Sequence, residues 1–369
     1  MNKVSNILLL LIITSQTICL HGQQSSWTDR IYVEGNLHYG FVMPHTTSIA
    51  YFVNEHVTGF QCNIGLITDG RKQWQKYYNY PRMGIGFYHS GLGNDQVYGK
   101  VNALFFYFDR MFIKNKRHIN FGNRISFGLA YINKQFDMVN DYYNVAIGSK
   151  LNVYLNYSLE GTVRLAPKIQ MKLGLGFSHM SNGRFFEPNK GLNLVTSFVG
   201  VQYAINEPTQ YFLPEYQDNE VTKKNQLMVM GAWGQKQISR RFSDRFSVGG
   251  LSAEYSHKVS RTSWLGLALN TYYDPSLKKE LSLDSIKASK SDLIRVALNI
   301  SYELKMGKVS YVIQPGIYLK NSYTTPGIFC NRIGIRYQIN RHLLAGITIK
   351  AHWVAIADFI EWGIGYKII

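Results

Sequence analysis

Cysteine is scarce in this 369-residue chain, which carries only Cys19, Cys62 and Cys330. Cys62 and Cys330 lie far apart, with no second cysteine or paired histidine beside either. That excludes a dense disulfide framework and a zinc site and leaves room for one bridge at most. Charge is thin as well: Asp, Glu, Lys and Arg make up 17% of the residues, where about 25% is usual in soluble domains. Beyond the amino-terminal end no stretch reaches about 18 uninterrupted apolar residues, so no membrane-spanning helix is expected. No phosphate-binding glycine loop, metal-ligand spacing or RNA-binding aromatic motif occurs. Accordingly, no metal or other cofactor and no nucleic-acid partner are expected.

The amino terminus has the pattern of an export signal. Lys3 precedes an apolar run from Ile7 to Ile13 that weakens toward Leu20, followed by small and polar residues around Gly22 and Gln23. This reads as a signal peptide over residues 1–22. Cys19 would leave with it, because Gln16 and Ile18 make a poor lipoprotein cleavage box. Removing the leader and its single lysine leaves 39 basic against 23 acidic residues, a net charge of +16. A basic exported chain suits an anionic partner. Aromatic residues reach 14%, with 26 tyrosines, which suits a lipid-facing surface better than a nucleic-acid binder.

Periodicity decides the fold class. From Leu151 the odd positions run Leu, Val, Leu, Tyr, Leu, Gly, Val, Leu, while the even ones run Asn, Tyr, Asn, Ser, Glu, Thr, Arg. Only a strand satisfies strict alternation over about fifteen residues. The pattern recurs from Ile119 to Tyr131 and from Ile294 to Leu304. Strands of soluble sandwiches usually run about five or six residues, whereas crossing a bilayer at a tilt takes about nine to eleven, apolar side outward. The reading is therefore all-β: an antiparallel transmembrane β-barrel exported to a bacterial outer membrane. Eight strands are expected near 30–41, 54–68, 79–91, 99–112, 119–133, 149–165, 169–182 and 193–205. Eight more follow near 225–237, 246–258, 262–273, 292–306, 308–320, 328–340, 342–353 and 359–369. About sixteen strands fit one large barrel, or an eight-stranded barrel over residues 23–206 plus a second β unit over 225–369. Residues 207–224, which include Pro208 and Pro214, serve as linker or long turn.

One strand end carries chemistry. In GFSHMSNG, residues 176–183, the face of Ile169, Met171, Leu173, Leu175 and Phe177 continues through His179 and Ser181. Both polar side chains are thus expected on the lipid side, where they need hydrogen-bond partners. Two residues of strand span about 6.6 Å, a gap that imidazole and hydroxyl can close. Antiparallel pairing brings Asn193, at the start of the next strand, beside His179 on the same surface. With a periplasmic amino terminus, the connection from Gly183 to Leu192 lies outside the cell, at the outer leaflet where lipopolysaccharide is.

The stretch HMSNGRFFEPNKGLN, residues 179–193, resembles the signature of outer-membrane lipid A 3-O-deacylases, which are eight-stranded barrels. The resemblance implies an ester hydrolase that removes an acyl chain from lipid A or lipopolysaccharide. Ser181 would be the nucleophile and His179 the general base. Asn182, with the N–H groups around Gly183, would line an oxyanion hole, and Asn189 matches the family's loop asparagine. The chemistry implied is acyl transfer through a serine ester. The chain departs from the pattern where the family places a glutamate to orient the histidine: here stands Asn193, with Glu187 in the connecting loop as the alternative orienter. Residues 225–369 fall outside the resemblance, and no role attaches to them.

Other polar groups have plainer accounts. His89 and Ser90 are adjacent, so they point to opposite faces and read as a strand end entering a turn. His352, Asp358 and Glu361 read as a lumen polar network. Arg184 and Lys190 flank the motif and are weak candidates for lipid A phosphates. The alternative function is a non-enzymatic barrel, either a channel or a lipopolysaccharide-binding structural protein.

Overall fold

The computed structural model describes residues 30–112, 118–206, 224–324, 327–353 and 356–368. The leader with Cys19 and nearly all of the 207–224 connection lie outside the described residues.

Sixteen antiparallel strands close into two separate eight-stranded barrels, which settles the choice between one cylinder and two. The first comprises β1 (Ile31–Val42), β2 (Val57–Ile67), β3 (Arg82–Gly91), β4 (Lys100–Met111), β5 (Ile119–Ile132), β6 (Leu151–Ala166), β7 (Ile169–Ser181) and β8 (Leu192–Ala204). It closes by pairing β1 with β8, Tyr32 opposite Ala204. The second comprises β9 (Asn225–Gln237), β10 (Arg245–Lys258), β11 (Ser263–Tyr273), β12 (Ile294–Met306), β13 (Val309–Lys320), β14 (Phe329–Gln338), β15 (Leu343–His352) and β16 (Ile356–Lys367). It closes by pairing β16 with β9. Strand edges move by up to three residues from the sequence expectation. Three-residue shifts fall at the starts of β2, β3 and β16; at β3, Asn79 and Tyr80 hold positive φ and finish a turn in place of extending the strand. Among the described residues, no helix is long and apolar enough to cross a membrane.

Alternation sorts the two faces as the strands demand. Leu104, Phe106, Leu129, Leu173 and Leu175 stand exposed on the first barrel, and Leu251, Leu267, Ile300, Trp362 and Ile364 on the second. The inward set is polar and buried. An eight-stranded barrel leaves an interior that side chains can fill, and charges there survive only when paired. In the first lumen Arg124 grips Glu34 through two nitrogens, both at 2.9 Å. Lys172 reaches Glu34 at 3.0 Å and Glu160 at 2.5 Å. In the second, Asp358 gathers Lys236 at 2.7 Å, Arg295 at 2.9 Å, Lys350 at 2.6 Å and His352 at 3.3 Å. Arg332 pairs with Glu361 nearby. The expected lumen network of His352, Asp358 and Glu361 is thus present. Cys62 and Cys330 are both free, each in its own barrel.

Removing one member of such a cluster strands its partners. Glu34→Ala is expected to cost about 3–5 kcal/mol, because Arg124 and Lys172 then lose their best carboxylate. The readout is the temperature at which the compact, fast-migrating form is lost on a gel. Removing opposite charges together in Glu34→Leu/Lys172→Leu should cost less than the single change.

The barrels stand side by side with like ends together. The rim bearing Ser181 is called the upper rim here. At the lower rim, α1 (Gln73–Tyr77) and the residue after it meet the second barrel: Tyr78, Phe108 and Met306 share one apolar cluster with Trp74. There Tyr78 donates to the Lys305 carbonyl at 2.9 Å. At the upper rim the connection that follows Ser181 makes contact, and Arg240 of the second barrel lies over the Phe136 ring of the first at 5.5 Å.

Candidate active site

The end of β7 and the start of β8 build the site. Their register sets His179 opposite Asn193, and the β6–β7 register places His179 across from Leu155 and Ser181 across from Val153 on the outer wall. His179 Nε2 lies 3.0 Å from Ser181 Oγ. Its Nδ1 lies 2.7 Å from Asn193 Oδ1.

The proton positions follow from the next partner along. The Asn193 amide nitrogen lies 3.2 Å from His45 Nδ1, so it donates there and its carbonyl oxygen turns to His179. That oxygen accepts from His179 Nδ1–H, which leaves Nε2 as the bare acceptor facing the Ser181 hydroxyl. The alternative orienter, Glu187, is engaged elsewhere: one carboxylate oxygen accepts from Arg184 Nε at 2.9 Å and the other from the Asn189 N–H at 3.1 Å. Burial raises the Glu187 carboxyl above its ordinary value, and the neighbouring Arg184 guanidinium offsets part of that rise.

The loop after Ser181 is closely held. The Asn182 N–H donates to Asn189 Oδ1 at 2.9 Å. The Asn182 side chain points inward, donating to Ser149 Oγ at 3.1 Å and accepting from the Phe186 N–H at 3.2 Å. Its amide is therefore spoken for. Among the described residues, the Gly183 N–H has no acceptor within the protein. Ser181 itself is 5% exposed.

Two glycines are required by contact. Gly191, at φ +75°, faces the site: a Cβ there would sit 2.8 Å from His179 Cε1 and 3.3 Å from the Ser181 Cβ. Gly183, at φ +61°, abuts Ile360 of the second barrel, whose side chain an added Cβ would overlap. Arg184 follows in the same left-handed region at φ +66°, which costs an L-residue roughly 1–2 kcal/mol.

His179, Ser181 and Asn193 thus come together, and Asn189 braces their loop. Sequence reasoning missed His45, 148 residues from Asn193, because a lone histidine in a loop carries no pattern. The Gly191 contact also escaped it, although Gly191 stands within the quoted motif stretch. His89 and Ser90 do face opposite ways: Ser90 is fully buried, and His89 meets Asn102 on the outer wall at 2.9 Å. Lys190 Nζ donates to Ser48 Oγ at 2.8 Å. Arg184 turns away from the lipid side into the second barrel. Among the described residues, no cluster of three or more metal-ligating side chains occurs.

Residues 59–202 match the family model of lipid A 3-O-deacylase (PagL), and residues 225–369 match that of the acyloxyacyl hydrolase C-terminal domain. The chain belongs to the lipid A 3-O-deacylase family. Membership makes it a hydrolase-family protein of the outer membrane with lipid A as the family's substrate class. The second match gives residues 225–369 a place in that family, which the motif alone did not. Among solved structures, the chain is similar to Neisserial surface protein A at 11% identity and a TM-score of 0.32, over 47% of this chain and 97% of that one. It is also similar to CdiB from Acinetobacter baumannii at 8% identity and a TM-score of 0.20, over 92% of this chain and 60% of that one. No curated protein matches the chain.

Proposed function

We propose that this family member is a serine esterase that removes the 3-O-linked acyl chain of lipid A at the upper rim of its first barrel. The observation that carries the reading is the relay Ser181–His179–Asn193, at 3.0 and 2.7 Å, on a lipid-facing wall. An acyl chain lying in the outer leaflet reaches that wall directly, and an aqueous lumen site would exclude it.

The Ser181 oxygen attacks the ester carbonyl carbon while its proton passes to His179 Nε2. The oxyanion that develops takes a hydrogen bond from the Gly183 N–H, the unengaged donor next to the nucleophile's own turn. Collapse expels the sugar oxygen, which takes the proton back from Nε2 and leaves an acyl-serine. Water, deprotonated by the same nitrogen, then releases the fatty acid. Asn193 keeps the imidazole in the tautomer that these steps need, and His45 keeps Asn193 the right way round.

Both lumens are filled by ion-paired side chains, which speaks against the channel alternative. The test is mass spectrometry of lipid A from membranes carrying the folded protein. The expected result is a loss equal to one hydroxyacyl group. Lipid A of unchanged mass beside a folded, membrane-inserted protein would overturn the reading.

A further inference from the structure

We propose that the second barrel positions the hydrolytic loop of the first, with Arg184 and Gln237 as the positioning residues. The inference rests on the esterase reading and adds a role for residues 225–369 that this reading does not supply.

Residues 182–187 leave the first barrel and dock on the upper rim of the second. The Gln237 N–H donates to the Arg184 carbonyl at 3.0 Å. The Gln237 side-chain oxygen accepts from the Glu187 N–H at 2.8 Å. One residue of the second barrel therefore holds the loop backbone at two points three residues apart. The Arg184 guanidinium completes the attachment, donating to the Ile238 carbonyl at 3.0 Å and approaching Glu280 at 3.6 Å and Asp358 at 3.8 Å. Asp358 is the hub of the second lumen's charge cluster, so the loop is tied to that cluster. Phe185 and Phe186 lie against the Arg245 guanidinium, 4.8 and 4.0 Å from ring centre to carbon.

The attachment matters because of where it falls in sequence. Arg184 is three residues from Ser181 and follows Gly183, whose amide is the candidate oxyanion donor. Gly183 itself rests against Ile360 of the second barrel. A surface loop of ten residues, 182–191, would ordinarily be mobile on its own. Here its first half is fixed from outside its own barrel, and catalysis by preorganised donors depends on such fixing to well under an ångström. The Arg184 guanidinium is engaged by Glu187, Ile238, Glu280 and Asp358 rather than by Ser181, His179 or Asn193, so its action is through the Gly183 amide.

The experiment compares the full chain with Arg184→Ala, Arg184→Lys and Gln237→Ala, each folded in lipid micelles. Competent sites are counted by a fluorophosphonate that labels Ser181, and amide exchange is followed over residues 182–191. We expect kcat per competent site for lipid A to fall about tenfold in Arg184→Ala and Gln237→Ala, with KM changed less than twofold. Arg184→Lys should recover part of the loss, and loop amides should exchange at least tenfold faster in both truncations. A merely structural role would lower the count of folded molecules without moving kcat per site. Unchanged kcat and unchanged exchange in folded variants overturn the proposal. Should Arg184→Ala fail to fold, Gln237→Ala, which keeps the charge cluster intact, decides it alone. If the full chain leaves lipid A intact, the esterase reading fails, and the exchange measurement still decides whether the second barrel holds the loop.

Discussion

Ser181→Ala is expected to lower lipid A deacylation by a factor on the order of 10⁵ to 10⁶, the scale at which removing a triad nucleophile acts elsewhere. The loss is that large because the covalent route disappears altogether, whereas the neighbouring amides and the bound substrate retain only the weaker catalysis they supply unaided. The change should leave folding untouched. The Ser181 side chain's hydrogen bond is to His179, the residue is small, and the barrel's stability resides in strand ladders and lumen ion pairs far below the rim. Rate by mass spectrometry and compactness by gel mobility therefore separate the two effects. A folded Ser181→Ala protein that still releases fatty acid at an appreciable fraction of the unaltered rate would remove the serine mechanism.

Asn193→Glu is expected to raise the rate. In a serine protease, changing the orienting Asp to Asn lowers turnover about ten-thousandfold, largely by stabilising the wrong imidazole tautomer. That part of the penalty is avoided here, because His45 Nδ1 holds the Asn193 amide nitrogen and turns its oxygen toward His179. What Asn193 still lacks is charge. A carboxylate would strengthen the bond to the imidazolium that forms during attack, and the difference between a neutral and a charge-assisted hydrogen bond, about 1 kcal/mol, corresponds to roughly fivefold in rate. The strand register keeps position 193 directly opposite His179, so the new side chain starts from the right place. Single-turnover acylation rates at a pH where His179 is neutral are the measurement. A rate that stays level or falls in a folded Asn193→Glu protein would mean that the orienting residue is not limiting.

Much of this was legible along the chain. The alternation at residues 151–165 dictated a long strand with one apolar face, and the same period placed His179 and Ser181 on that face because side chains repeat every two residues. The short connection after β7 then brought Asn193 beside His179, since antiparallel neighbours joined by a ten-residue loop have few registers available that keep both apolar faces outward. Likewise His352 fell on the inner face by counting alone, whereas Asp358 shares its parity with the outward Trp362 and Ile364 and turns inward only at the register shift opposite Lys350 and Ala351. All of these are local relations, carried by residues within one hairpin.

Contacts between distant segments could not be counted off in this way. Alternating patterns are equally satisfied by one sixteen-stranded cylinder and by two of eight; the pairing of Tyr32 with Ala204 and of Trp362 with Trp233 decided the matter. His45 and Asn193 meet only because β1 and β8 close the first barrel, and Arg184 reaches Asp358 only because the two barrels share an upper rim. Amino-acid order by itself determined the strands, their faces and the relay from serine to histidine to asparagine, because period-two geometry and hairpin register act over a few residues. Tertiary structure alone decided which imidazole steadies that asparagine and which barrel steadies the loop behind the serine, because closure and docking bring together groups that no local repeat relates.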